Sequence, residues 1–377
     1  MKYVDEFRNR KLVKRIANKI SKIMPPGNIN IMEVCGTHTQ SFRHFGLDKI
    51  LPSSLKFIAG PGCPVCVSNQ DYIDRSISLA RMKDVIILSF GDMLRVPGTQ
   101  TSLEKQRAEG SDVRVLYSPW DSLKISRENP GKRIVFLAVG FETTTPTIAL
   151  TIKAAKKAGL KNLFFHTALK LIPPAMQALV ADPKLKINGF LCPGHVSAII
   201  GINPYEFIPK RYKIPCSVTG FEPLDILEGI YLLLQRIVKN KPAVVNQYRR
   251  VVTRQGNLKA KKIISEVFGV SDVSWRGLGI ISKSGLRIRD EFSQFNAEKE
   301  LLLHYQPFLP YPACPAGRRQ AGAFSRQPKK CRCADILKGL IAPIECPLFS
   351  KTCSPDNPIG PCMVSSEGAC NAYYKYR

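Results

Sequence analysis

The stretch LKFIAGPGCPVC, residues 55–66, runs an apolar segment into a glycine- and proline-bearing loop that carries two cysteines. Leu55–Ala59 suits a buried strand, Gly60–Cys66 a turn, and a helix is expected over Asn69–Arg81. The same construction occurs four more times. Asn30–Val34 leads into Cys-Gly-Thr-His-Thr (35–39), and Val85–Phe90 into Gly-Asp-Met (91–93). Arg133–Val139 leads into Gly-Phe-Glu-Thr-Thr (140–144), and Ile187–Leu191 into Cys-Pro-Gly-His (192–195). Short apolar runs alternating with helical stretches are the pattern of a parallel α/β sheet. In such sheets functional groups gather beyond the carboxyl ends of the strands, so five polar loops at that end point to one shared site.

Outward from these loops the reading is coarser. Residues 1–24 have Phe7, Leu12, Ile16 and Ile20 at helical spacing, and Pro25, Pro26 and Gly27 end the pattern. Thr143 is placed to cap a helix over Ala149–Ala158. Gly-Phe-Glu recurs at 220–222 after the run Tyr212–Val218, a faint echo of 140–142 that two related lobes would explain. Tyr311–Lys330, rich in Pro, Gly, Arg and Ala, reads as an irregular connection to a cysteine-rich tail.

The chain has 56 Lys and Arg against 29 Asp and Glu, a formal charge of +27. That excess favours anionic partners. The basic residues are dispersed, however, with short clusters at Lys259–Lys262 and Arg318–Lys330, and there is no zinc-finger spacing, RRM signature or basic-region heptad. A solvated basic surface is expected rather than a nucleic-acid site. No apolar run reaches the roughly 18 residues of a membrane span, and the charged N-terminus lacks an apolar signal core. A cytoplasmic protein is expected. In that setting twelve cysteines imply metal or redox chemistry rather than a disulfide framework.

The tail is spaced Cys331-x-Cys333-x12-Cys346-x6-Cys353-x8-Cys362-x7-Cys370, and all five histidines lie upstream of it. A site built from the tail alone is therefore all-sulfur. Structural zinc favours close Cys-x-x-Cys pairs, which the tail lacks, whereas long irregular gaps suit a [4Fe–4S] cluster on four thiolates, leaving two cysteines over as a redox pair. Cys63-Pro-Val-Cys66, between a strand and a helix, has the thioredoxin-like redox arrangement, with a helix N-terminus to favour a thiolate; half of a zinc site is the other reading. Cys35 and His38, three apart on one loop, can reach the same iron or zinc ion or form a nucleophilic Cys–His pair. His195, Glu142 and Asp92 can handle protons or orient a ligand. The isolated Cys192 and Cys216 read as core.

At these motifs the chain resembles the HypD family of hydrogenase maturation proteins. The segments that carry the resemblance are Cys-Gly-Thr-His-Thr (35–39), Gly-Pro-Gly-Cys-Pro-Val-Cys (60–66), Gly-Phe-Glu-Thr-Thr (140–144), Pro-Gly-His-Val-Ser (193–197), Gly-Phe-Glu-Pro-Leu-Asp (220–225) and Pro-Cys-Met-Val-Ser-Ser-Glu-Gly-Ala-Cys (361–370). They follow the family's order over nearly the full length. One departure is Ala334, where the family has glycine after Cys-x-Cys.

The resemblance implies two parallel-sheet α/β lobes (25–125 and 126–238) and a third, cysteine-rich domain (239–377) with a [4Fe–4S] cluster, on which the N-terminal helix (1–24) packs. It implies a metallocentre-assembly scaffold with redox activity rather than a conventional turnover enzyme. On that scaffold the Fe(CN)2CO group of [NiFe] hydrogenases is built together with the chaperone HypC. HypE delivers cyanide, HypF acts upstream, and the hydrogenase large subunit is served indirectly. Cys35 and His38 would meet the cargo iron, and Cys63 and Cys66 would be the redox pair. The tail is similar to ferredoxin:thioredoxin reductase, with Cys331, Cys346, Cys353 and Cys370 on the cluster and Cys333 and Cys362 as the adjacent exchange pair. The alternative is a stand-alone iron–sulfur thiol–disulfide oxidoreductase.

Overall fold

The computed structural model describes residues 4–302 and 330–376; Cys314, His304 and nearly all of the expected connection 311–330 lie outside them. The chain forms mixed α/β structure with two sheets, mostly parallel. It divides into two compact units. The first comprises Met1–Cys66, Ile172–Lys261 and Lys330–Arg377, the second Val67–Leu171 and Lys262–Lys329. Each unit is thus stitched from separate stretches, where the sequence suggested contiguous lobes.

The first unit is built on β1 (Ile29–Glu33), β2 (Leu55–Ala59), β7 (Gly189–Cys192), β8 (Cys216–Val218) and β9 (Val244–Asn246), ordered β2-β1-β7-β8-β9 and parallel throughout. Ile29, Ile31 and Leu191 pack with Leu227, Ile230 and Leu234 of the helix Pro223–Val238. Each such side chain contributes about 1.5–3 kcal/mol on burial. Gly189 is required there, since a Cβ would sit 2.8 Å from Leu233.

The N-terminal helix is shorter than expected. A 3-10 turn at Asp5–Arg8 precedes Asn9, whose side chain accepts from the Lys11 and Leu12 amides (3.0 and 3.2 Å) and so starts α1 (Arg10–Ile23) afresh. Ala17 and Ile20 of α1 are buried in the core that includes Leu227, Ile230 and Leu234. The expected strand Tyr212–Val218 shrinks to β8. Ile208–Tyr212 is helical, Lys213 takes a left-handed conformation (φ 60°), and Pro215 has no amide to give a ladder.

The second unit holds β3 (Val85–Ser89), β4 (Val113–Val115), β5 (Arg133–Gly140), β6 (Leu163–Lys170), β10 (Phe268–Trp275) and β11 (Gly279–Ile288). The order is β10-β11-β6-β5-β3-β4; the four strands from β6 to β4 are parallel, and the β10–β11 hairpin adds antiparallel to β6. β3 and β5 are continuously apolar because both faces of a parallel sheet are covered. The helix after β5 spans Thr145–Lys157 and starts earlier than the sequence suggested. Thr143 does not cap it; Pro146 occupies its first turn, where a missing amide is harmless.

Strand order gives each sheet one switch point. In the first unit β1 connects outward to β2 while β7 continues to β8 on the other side. In the second, β3 connects to β4 and β5 to β6 in opposite directions. Crevices at such points are where α/β sheets hold ligands. Among the described residues no helix is long and apolar enough to cross a membrane.

Candidate functional site

At the first unit's switch point, β1 ends at Glu33 and α2 (Gly36–His44) begins at once, so Cys35 is the N-cap and His38 the third helical residue. The Cys35 thiol takes the backbone amide of His38 across the first turn, as an N-cap side chain does. Thr39 ties the turn to the strand, its hydroxyl donating to Glu33 Oε2 at 2.8 Å. Close backbone approach requires both flanking glycines. A Cβ on Gly62 would lie 2.3 Å from the Cys35 amide, and one on Gly36 would lie 2.3 Å from the Glu367 carbonyl. Residues 35–38, 60–62 and 365–367 therefore meet at one point, and Thr37 donates to Glu367 Oε1 at 2.7 Å.

Burial, helped by Glu367, pushes the Cys35 thiol up to about 12, against the backbone amides of His38 and Thr37 and the Thr37 hydroxyl. His38 is wholly buried, which holds its imidazole down to about 4. Its Nε2 faces the carbonyl oxygens of Gly220 (3.0 Å) and Thr219 (3.3 Å). Carbonyls only accept, so Nε2 carries the proton and Nδ1 keeps its lone pair. Nδ1 is buried and has no hydrogen-bond partner. His195 follows β7 in the short helix Gly194–Ile200, keeps an exposed edge and stacks on Phe221 at 4.1 Å. Burial lowers its pKa, with Glu367 opposing.

Cys63 immediately precedes a single helical turn, Pro64–Val67, that contains Cys66, and the Cys66 amide points at Cys63 Sγ (3.4 Å). Cys66 turns the other way, its thiol 3.7 Å from the Pro361 carbonyl and within hydrogen-bonding reach of Cys362. Cys362 in turn reaches Cys333 and Cys370, and Cys333 reaches Cys331. A continuous file of thiols thus runs from Cys63 into the tail. Burial pushes Cys66 well above its ordinary value, so the acidified thiol expected from a helix terminus is not what this residue has.

Cys331, Cys333, Cys346, Cys353, Cys362 and Cys370 line one small cavity, together with Ile336, Leu348, Phe349 and Met363. Cys353 Sγ accepts the Ile359 amide at 3.4 Å. A Cβ on Gly360 would lie 2.7 Å from Cys331 Sγ. Among the described residues no three His, Cys, Asp or Glu side chains are grouped to hold a single metal ion. Thiols spread around an apolar cavity, one of them receiving an amide, are the donor set of an iron–sulfur cluster, so the residues fit that group. Cys331 and Cys333 both line the cavity.

Every cysteine among the described residues belongs to the first unit. Cys192 and Cys216, isolated in sequence, are wholly buried on adjacent strands with their thiols within reach of each other. Glu367, Phe221, Thr219 and Gly220 escaped the sequence reading as site residues. For Glu367 the signal was its place between Cys362 and Cys370.

Asp92 and Glu142 belong to the second unit, where they follow β3 and β5 and flank its switch point. Asp92 is exposed and Glu142 buried. The same unit buries two ionisable groups that the sequence did not single out. Lys170 donates to the Ser274 carbonyl (2.6 Å) and lies over Trp275, and burial with Arg276 nearby holds its amine down to about 7. His166 stacks on Tyr72 at 4.2 Å, held by burial to about 3.

Residues 10–377 match the family HypD, described as the hydrogenase formation hypA family. The hydrogenase expression/formation protein HupD of Azotobacter chroococcum mcd 1 is 43% identical over 100% of this chain and 97% of its own length. The hydrogenase maturation factor HypD of Azotobacter vinelandii has the same identity and coverage. That of Escherichia coli (strain K12) is 42% identical over 100% of this chain and 98% of its own.

Proposed function

The chain belongs to the HypD family of hydrogenase maturation factors, and from that membership we propose that its first unit is the scaffold on which the Fe(CN)2CO group is assembled. The observation that carries the reading is the file of thiols from Cys63 to the tail, all within one unit and starting beside Cys35.

Cys35 and a cysteine of a HypC-type chaperone hold the cargo iron, with His38 Nδ1 as the neighbouring donor. Two donors from this chain are too few for iron, so the cargo's own ligands and the partner complete the shell. Soft thiolates suit low-spin iron with cyanide and carbon monoxide. The Cys35 proton must leave as iron binds; the Glu367 carboxylate accepts it, and His195, with its exposed edge, passes it to solvent. Asp92 and Glu142 flank the switch point of the second unit, and proton handling there is their proposed role.

Electrons reach this site by thiol exchange. Cys362 thiolate attacks Cys66 Sγ of a Cys63–Cys66 disulfide, and Cys63 leaves as thiolate. Cys333 thiolate then attacks Cys362, closing a Cys333–Cys362 disulfide and releasing Cys66. The net result is a two-electron reduction of Cys63–Cys66. A [4Fe–4S] cluster on Cys331, Cys346, Cys353 and Cys370 would supply the electrons that restore the Cys333/Cys362 dithiol.

Anaerobic purification with a HypC-type chaperone tests the reading. Brown protein with about four iron and four sulfide, and infrared bands of metal-bound cyanide that vanish in Cys35→Ala, are expected. Colourless zinc protein without sulfide would remove the redox file from the mechanism, and bands unchanged in Cys35→Ala would dismiss Cys35 as the cargo's ligand.

A further inference from the structure

Phe221 stands between two imidazoles. Its ring centroid lies 4.6 Å from that of His38 and 4.1 Å from that of His195, with interplanar angles of 31° and 24°. The three rings form a short stack, contributed by α2, the loop after β8 and the turn after β7. Phe221 is only partly buried and is not part of the hydrophobic core beneath it.

The surrounding loop is held firmly. Asp225, wholly buried, takes two bonds from Arg250 (2.8 and 2.6 Å), and a Cβ on Gly220 would lie 2.3 Å from its carboxylate. A Cβ on Gly194 would meet the Thr219 carbonyl at 2.5 Å and the Phe221 ring at 3.2 Å. The ring is thus fixed from below by one loop and from the side by the other. The torsion that turns a histidine ring about its Cβ–Cγ bond is broad and roughly two-fold. A half-turn would exchange Nδ1 for a carbon and take Nε2 off the Gly220 carbonyl. The Gly220 and Thr219 carbonyls choose between the half-turns, and Phe221, tilted over one face of the imidazole at 31°, limits the swing of the ring out of the plane that aims Nε2 at them.

Resting on the proposed role of His38, the geometry assigns Phe221 as a positioning residue: it limits the tilt of the His38 ring, so that Nε2–H stays on the Gly220 carbonyl and Nδ1 stays without a hydrogen-bond partner, and it keeps His195 apart as a separate group. The residue touches neither iron nor substrate in this assignment; it acts through the two rings.

The test uses the full chain, purified anaerobically with histidine labelled by 15N, in wild type, Phe221→Tyr and Phe221→Leu. His38→Asn and His195→Asn assign the signals. Long-range proton–nitrogen correlation reads the tautomer, and ferrous iron alone, without the other maturation proteins, is the binding probe. Wild type and F221Y should show a single Nε2–H form of His38 and bind iron alike. F221L should show mixed His38 tautomers and roughly tenfold weaker iron binding, a shift of about 1.4 kcal/mol, with its melting midpoint little changed. If F221L does not fold, Phe221→Met makes the same comparison. A wild-type tautomer and affinity in the ring-less variant would overturn the assignment and leave Phe221 as packing alone. Iron binding equal in wild type, C35A and H38N would instead count against the scaffold reading, while the tautomer comparison would still decide Phe221.

Discussion

The two units apply the same strand-order rule to different chemistry. In the first, Cys35 and His195 flank the switch point between β1 and β7, and all eleven described cysteines are gathered in that unit. In the second, Asp92 and Glu142 flank the switch point between β3 and β5, and the buried reactive groups are a lysine and a histidine with lowered pKa values. A switch point therefore says where a site forms and nothing about what it does. Function follows from the side chains the loops deliver. The thiols gathered in the first unit suit the electron and iron chemistry proposed for it, whereas a desolvated lysine makes stability answer to pH.

The sharpest way to break this contrast is at Cys362, whose thiol is within reach of Cys66, Cys333 and Cys370. Cys362→Ala should reduce dithionite-driven reduction of Cys63–Cys66 to background, read by alkylation and peptide mapping. Undiminished reduction would mean the file is not the route. Sharpening comes from the trapped intermediate. Cys63→Ala combined with Cys333→Ala removes the exchange partners on either side of Cys66 and Cys362, and mild oxidation should link these two, read by peptide mapping against a Cys362–Cys370 link.

A smaller effect is expected at Asp225. Removing it leaves the Arg250 guanidinium, sandwiched between Phe7 and Tyr248, without its carboxylate. Asp225→Ala should lower stability by about 3 kcal/mol, and a loss below ~1 kcal/mol in urea titration would show the pair to be incidental.

In the second unit the expected effect is a slope. The Lys170 amine titrates at about 7 in the folded chain against an ordinary value of 10.5. Between those values the unfolded chain binds the additional proton, so this group's stabilising contribution grows as pH rises from about 7 to about 10. It is lost as pH falls through 7. The slope is at most about 1.4 kcal/mol per pH unit. Lys170→Met should flatten it in denaturant titrations at pH 6, 8 and 9, and an unaltered slope would place the pH response elsewhere. The smallest effect belongs to the ion pair of Arg8 with Glu222, whose arginine is half exposed. Arg8→Ala should leave the melting midpoint in place, as exposed pairs commonly do.

Local signals were legible in the sequence. Asn69 does cap the helix that runs to Ala80, its side chain accepting from the Tyr72 amide, and the five strands stand where their apolar runs placed them. The cap at Thr143 failed because Pro146 already fits the first turn of an earlier helix start. The long strand before Gly220 failed at Lys213 and Pro215. How the strands sort between two sheets was not legible either. Parallel pairing depends on which crossover each chain segment takes, and adjacent apolar runs such as Leu55–Ala59 and Val85–Ser89 look alike while entering different sheets.

The sequence by itself determined the class of structure, the loops that carry chemistry and the sulfur-rich character of the chain, because strand periodicity, turn residues and thiol ligands are properties of short segments. Only the tertiary structure decided that Cys66 faces the Pro361–Cys362 turn, 295 residues away in sequence, and that Glu367 joins Thr37 beside Cys35. It also decided that Phe221 lies between His38 and His195. These neighbours are set by close packing of glycine-lined loops from distant parts of the chain, and no local pattern encodes the distance between two segments that fold on opposite sides of a sheet.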